Sequence, residues 1–122
     1  MVKFNKGVPL TREQMKSLLK RIPDRKDKRD FRLSIPVPEV LPKNSTLYKY
    51  LNHIEDQGNI GSCTAESGTT VVEAELRYHK KVTDIDLSAL FLYWCEREIL
   101  GTTDEDSGAE MRNICEAGKK YG

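Results

Sequence analysis

No apolar run in the 122 residues approaches the roughly 18 needed to cross a bilayer. The stretch MVKFNKGVPLTREQ also lacks the apolar core of a secretory signal, so a soluble, unexported chain is expected. Charge of one sign is lacking too. With 20 Lys+Arg against 19 Asp+Glu the formal net charge is +1, which offers neither a nucleic acid nor a membrane surface a field to bind. The one basic cluster, Lys20 to Arg29, is interleaved with Asp24, Asp27 and Asp30, and reads as a solvated segment whose field is largely self-cancelled. Cysteine is scarce and odd in number: Cys63, Cys95 and Cys115 cannot all pair, and their spacing is neither that of a zinc site nor of a redox dithiol. Free thiols in a reducing compartment fit, with no metal or cofactor expected. Histidine is scarcer still, present only as His53 and His79.

What is present amounts to one small domain with an extension. Thr11-Arg12-Glu13-Gln14 reads as a capping box opening a short helix over about 11–22, with Met15, Leu18, Leu19 and Ile22 as its apolar stripe and Pro23 as its stop. Prolines 23, 36, 38 and 42 then favour an extended path. Residues 1–45 are therefore taken as an N-terminal extension and 46–122 as the domain proper. Within 46–122 the spacing predicts helices and no convincing strand. Ala65, Thr69, Val72, Leu76 and His79 recur every three or four residues, which predicts a helix from Ser62 to about Lys80. A second helix starts at an Asp86 or Ser88 cap and runs to Gly101, with Leu87, Leu90, Phe91, Trp94 and Cys95 facing inward. A third lies in AEMRNICEAGKKYG, with Met111, Ile114 and Cys115 apolar. Cys95 and Cys115 are both expected to fill the core.

The chemistry concentrates at Cys63. A thiol attacks as its thiolate, and the unpaired N–H groups and positive end of a helix's first turn favour that form. Cys63 follows Gly61-Ser62 directly at a predicted helix start. Attack on an amide also needs donors aimed at the developing oxyanion. The side-chain amide of Gln57, on the same Gly-bearing loop, is the candidate. The acidic turn Asp104-Glu105-Asp106 has no cation-site spacing.

Gln57-Gly58-Asn59-Ile60-Gly61-Ser62-Cys63-Thr64-Ala65 resembles the nucleophile loop of papain-like cysteine peptidases, whose pattern Q-G-x-C-G-S-C-W-A it fits at seven of nine positions, counting the open one. Glu73, Leu87-Ser88 and Ser107-Gly108 match further features in the family's order. Pro23 to Asp30 and Leu41-Pro42 are similar to the lead-in of its bacterial and viral members. The resemblance implies Cys63 as nucleophile, Gln57 and the Cys63 N–H as oxyanion hole, and Gly61, Ser107 and Gly108 as backbone contacts to a peptide or protein substrate. It implies the mainly α, helical half of the papain-like α+β fold, in a disulfide-poor branch of cytoplasmic or viral-intracellular setting, since Ile60 stands where a half-cystine is common and Thr64 where Trp is usual.

The family's His and Asn lie about 130–150 residues past the cysteine, farther than this chain extends. His79, sixteen residues along the expected helix, would sit about 24 Å from Cys63 at 1.5 Å per residue. No family pattern assigns His53 a role. The first expectation is thus a cysteine peptidase sequence truncated to its helical half, inactive alone, its base supplied by a complementary β-rich half. The second is a non-catalytic helical binding module derived from a peptidase, using its uncovered face for a partner or for self-association.

Overall fold

The computed structural model describes residues 21–31 and 42–122, together with 34, 36 and 40 between them. Among these the chain forms three α-helices and no strand: α1 (Cys63–Glu75), α2 (Ala89–Leu100) and α3 (Met111–Tyr121). The expected capping box at Thr11 and the body of the helix it opens lie outside the described residues. Ile22, its expected last residue, is not helical: it runs alongside Glu110 in an isolated parallel bridge, its N–H donating to the Ala109 carbonyl at 2.9 Å.

Most of the helix ends have a local cause. α1 runs on through a π-helical turn, Leu76–Lys80, and stops at Lys81, which adopts the left-handed conformation (φ 58°) usually left to glycine. The five turns expected from the spacing are thus present, the last of them widened. α2 starts at Ser88, whose hydroxyl accepts from the Phe91 N–H at 3.2 Å. It ends at Gly101 (φ 71°), where the Thr102 N–H reaches back to the Arg97 carbonyl at 2.9 Å. α3 opens with a capping box built from Glu110 and Asn113.

α2 packs against both α1 and α3. The contact is close because α1 presents small residues: a Cβ added to Gly68 would lie 2.9 Å from Ile114 Cγ2 and 3.1 Å from Leu92 Cδ2. Ala65, Tyr93 and Ala109 form the buried centre, with Ala89, Leu92 and Leu100 packed around it.

The face of α2 that turns inward is not the one expected. Leu90 and Phe91 are 58% exposed and Trp94 46%, whereas Tyr93 is 1% and Glu96 0% exposed. Two hydrogen bonds to the interior, from Tyr93 to Asp106 and to Glu96 from Thr64, anchor this polar face. Of the exposed apolar side chains, Phe91 borders a groove of about 230 Å³ walled also by Val72, Leu87, Cys95, Ile114 and Ala117. Val72 and Met111 are likewise partly open, while Asn113 and Ala117 carry the buried face of α3. Cys115 is exposed and not a core filler; Cys95 is buried as expected, and burial pushes its thiol pKa up.

A buried ionic node fixes the far end of α1. Glu73 and Arg77, one turn apart, pair at 3.2 Å. Glu73 Oε1 accepts from the Leu87 N–H at 2.6 Å, and Arg77 donates to the carbonyls of Ile85 (2.6 Å) and Tyr50 (3.3 Å). One helix turn thereby secures the segments before α1 and before α2.

The lead-in docks on α3 by charge. Arg25 pairs with Glu110 at 3.0 Å, and Arg112 binds both Asp30 oxygens at 2.7 and 2.9 Å. The acidic residues of this segment therefore serve α3 as well as their own arginines. No helix among the described residues is long and apolar enough to cross a membrane.

Candidate functional site

The loop ahead of α1 is shaped by its own polar groups. Asp56 Oδ1 accepts from the Gly58 N–H at 3.0 Å, and Gly58 takes a positive φ of 59° that its missing Cβ allows. The turn closes with the Ile60 N–H donating to the Gln57 carbonyl at 3.2 Å. Gln57 Nε2 donates to the Ile60 carbonyl at 2.7 Å, folding the side chain over its own turn. A primary amide has two N–H donors, and Ile60 takes one of them.

The chain then enters α1. Ser62 is fully buried and donates through its hydroxyl to Glu66 Oε1 at 2.9 Å. Cys63 is the first residue of α1, half-buried and without a disulfide. Thr64, on its other side, is 1% exposed and donates to Glu96 Oε2 at 2.9 Å. Cys63 is thus the one partly open side chain between two buried hydroxyls.

A second loop reaches the same place from the other end of the chain. Asp106 Oδ1 accepts from the Gly61 N–H at 2.8 Å and from the Tyr93 hydroxyl at 2.7 Å. The Tyr93 oxygen in turn accepts from the Gly108 N–H at 3.0 Å. Residues 61 and 108 are therefore joined through two side chains. Burial and the neighbouring Asp106 carboxylate push the Tyr93 phenol up to about 12, so it stays a neutral donor. Gly108 (φ 76°) has its N–H engaged, and Ser107 divides its hydroxyl between Thr102 Oγ1 (2.9 Å) and the Gly108 carbonyl (3.3 Å).

Gly61, Cys63, Ser107 and Gly108, singled out from the sequence, therefore belong to one connected region, with Gln57 on the adjoining turn. The residues that join them were not singled out. Tyr93 reads as packing and Asp106 as part of an acidic turn until the fold brings them together. Glu96 has no signal in a single sequence, since a glutamate on a helix is ordinarily solvated.

Each histidine pairs with a glutamate close to it in sequence. His53 pairs with Glu55 at 3.1 Å and His79 with Glu75 at 3.0 Å. The ligand atoms of His53, Glu55 and Asp86 lie within 4.8 Å of one another, the one group among the described residues with the donor types to hold a metal ion.

Comparison with known proteins gives one line of likeness. The chain is 36% identical over 107 residues to an uncharacterized peptidase C1-like protein of Acanthamoeba polyphaga mimivirus. That similarity points to a papain-like peptidase relationship. The alignment takes in 81% of this chain and 34% of that protein, so the chain spans about a third of the length of the curated relative it matches. No family model and no solved structure matches the chain.

Proposed function

We propose that this chain carries the nucleophile-bearing, helical part of a papain-like cysteine peptidase, with a peptide or protein as substrate. The observation that supports it is the seat of Cys63. The residue opens α1 at a half-open position, beside a turn formed by Gln57 and next to a loop that ends in Ser107-Gly108.

In this reading the Cys63 thiolate attacks the scissile carbonyl, forming the C–S bond as the C–O π pair moves onto oxygen. Gln57, swung from Ile60, and the Cys63 N–H donate to that oxyanion. Collapse expels the amine, which takes a proton from the general acid, and water then hydrolyses the thioester. Gly61, Ser107 and Gly108 line the path of the substrate backbone. The base that accepts the thiol proton comes from outside these residues, because both histidines are committed elsewhere. A segment equivalent to the remainder of the longer relative is the proposed source, in the same polypeptide or a second one, and this chain alone is proposed to be inactive.

The experiment is peptide hydrolysis by the full chain with and without the remaining segment of the relative. Turnover that appears only in the mixture, and disappears in Cys63→Ala, is the expected result. An intact, folded mixture without turnover overturns it. A direct reading of the nucleophile comes from iodoacetamide: Cys63 should alkylate about tenfold faster at pH 7 than the exposed Cys115 of the same molecule.

A further inference from the structure

Glu96 is a carboxyl group with half of its bonds made. It is fully buried, its Oε2 accepts from Thr64, and its Oε1 has no hydrogen-bond partner. A buried carboxyl oxygen without a donor costs stability, and an apolar side chain of similar size would avoid that cost. Its bonding therefore calls for an explanation beyond packing.

What the bond holds is the residue next to Cys63. Successive side chains on a helix point about 100° apart, so seating Thr64 in the interior dictates where its neighbour points. Ser62 and Thr64 are both buried and both bonded to glutamates, one to Glu66 on the same helix and one to Glu96 on α2. The second bond alone ties the first turn of α1 to another element.

We propose that Glu96, acting through Thr64, is a positioning residue for the Cys63 thiol. The inference rests on the reading of Cys63 as nucleophile. It adds that the outward aim of the thiol is set by a carboxyl group bonded to the side chain of the next residue.

Among the described residues no cation bonds to Glu96, although the buried Nε of Arg97 beside it on α2 is also without a partner. Glu66 is held by Ser62 and Glu73 by Arg77 on α1, and Asp106 accepts from Gly61 and Tyr93 while Glu110 pairs with Arg25 ahead of α3. On α2 itself Arg97 donates to the Thr103 and Glu105 carbonyls, and Cys95 is buried. Burial, opposed only by the Thr64 bond, lifts the Glu96 pKa to about 7. The carboxyl group bonded to Thr64 is thus neutral below that pH and anionic above it, and an anion held there would oppose a thiolate on the preceding residue of the helix.

The test is iodoacetamide alkylation of the full chain, read at Cys63 by peptide mass spectrometry and referred to Cys115, across pH 6–9. Thr64→Val should slow Cys63 about fivefold, Thr64→Ser should stay within about twofold, and Glu96→Gln should match the parent at pH 6 but exceed it about threefold at pH 8. Cys63 rates in Thr64→Val equal to the parent, or a Glu96→Gln profile that superimposes on it, would overturn the inference. If Thr64→Val loses cooperative unfolding, the Glu96→Gln profile decides alone. A parent Cys63 no faster than Cys115 defeats the nucleophile reading instead, and the Val, Ser and Gln variants still decide whether Glu96 aims the thiol.

Discussion

Two glutamates are buried at opposite ends of the same helix system, and they are bonded in opposite ways. Glu73, near the end of α1, faces Arg77 and a backbone N–H, and the arginine in turn satisfies two carbonyls. Glu96, against the start of α1, has a single hydroxyl donor. The matched node secures two chain segments and asks nothing further of its surroundings. The half-matched one bonds the neighbour of the cysteine on which the proposed chemistry depends. Glu73 has its partners in full, whereas the unpartnered oxygen of Glu96 belongs to the group that bonds the first turn of α1.

Breaking the matched node should have the largest effect. Glu73→Ala leaves Arg77 buried without its counter-charge and should cost about 3–5 kcal/mol, read from urea unfolding. A loss under 1 kcal/mol would erase the contrast between the two ends.

The half-matched end should show itself in pH dependence. The Glu96 pKa is raised from 4.5 to about 7 in the fold, so between those values the folded state holds a proton that the unfolded chain has released. Stability should therefore fall as pH rises from about 4.5 to 7 and level off above, by on the order of 2 kcal/mol. Glu96→Gln should abolish that slope when urea midpoints at pH 5 and 8 are compared.

The link between the two site loops is weaker. Tyr93→Phe removes one donor to Asp106 and leaves the Gly108 N–H without its acceptor, at a cost of about 1–2 kcal/mol. Hydrogen exchange should quicken at Gly61 and Gly108 and stay unchanged at Leu87, beside the ionic node. The smallest effect lies between the two ends: Gly68→Ala crowds Ile114 and Leu92 but gains helix propensity, for a net loss of about 1 kcal/mol.

The legible parts of this chain were those governed by local rules. A cap at Asp86 or Ser88, of which the fold uses Ser88, Gly101 as a stop and the span of α3 follow from short-range hydrogen bonding and glycine's conformational freedom. Which face of α2 turns inward does not follow from such rules. Leu90, Phe91 and Trp94 form the more apolar stripe, yet Tyr93 and Glu96 are buried because their partners, Asp106 and Thr64, lie 13 and 32 residues away. Hydrophobic periodicity cannot register a bond to a distant segment. The same limit hid the site's connections: the motif around Cys63 was readable, and the Asp106–Tyr93 link that brings Gly108 to it was not. The α3 capping box escaped notice because Glu110 and Asn113 are not the usual residues for it.

The docking of residues 24–30 on α3 has one more consequence. Its ion pairs are open to water on one side: Arg25 and Asp30 have 73% and 51% side-chain exposure, against 6% and 28% for their partners Glu110 and Arg112. At 1 M salt the screening length shrinks to about 3 Å, comparable to the span of these pairs, so their exposed sides are weakened, while the apolar packing of the helices is not. Ionic strength is thus a handle on the lead-in more than on the packed core. Trypsin should cut at Lys26 and Lys28 faster in high salt while the three helices stay intact.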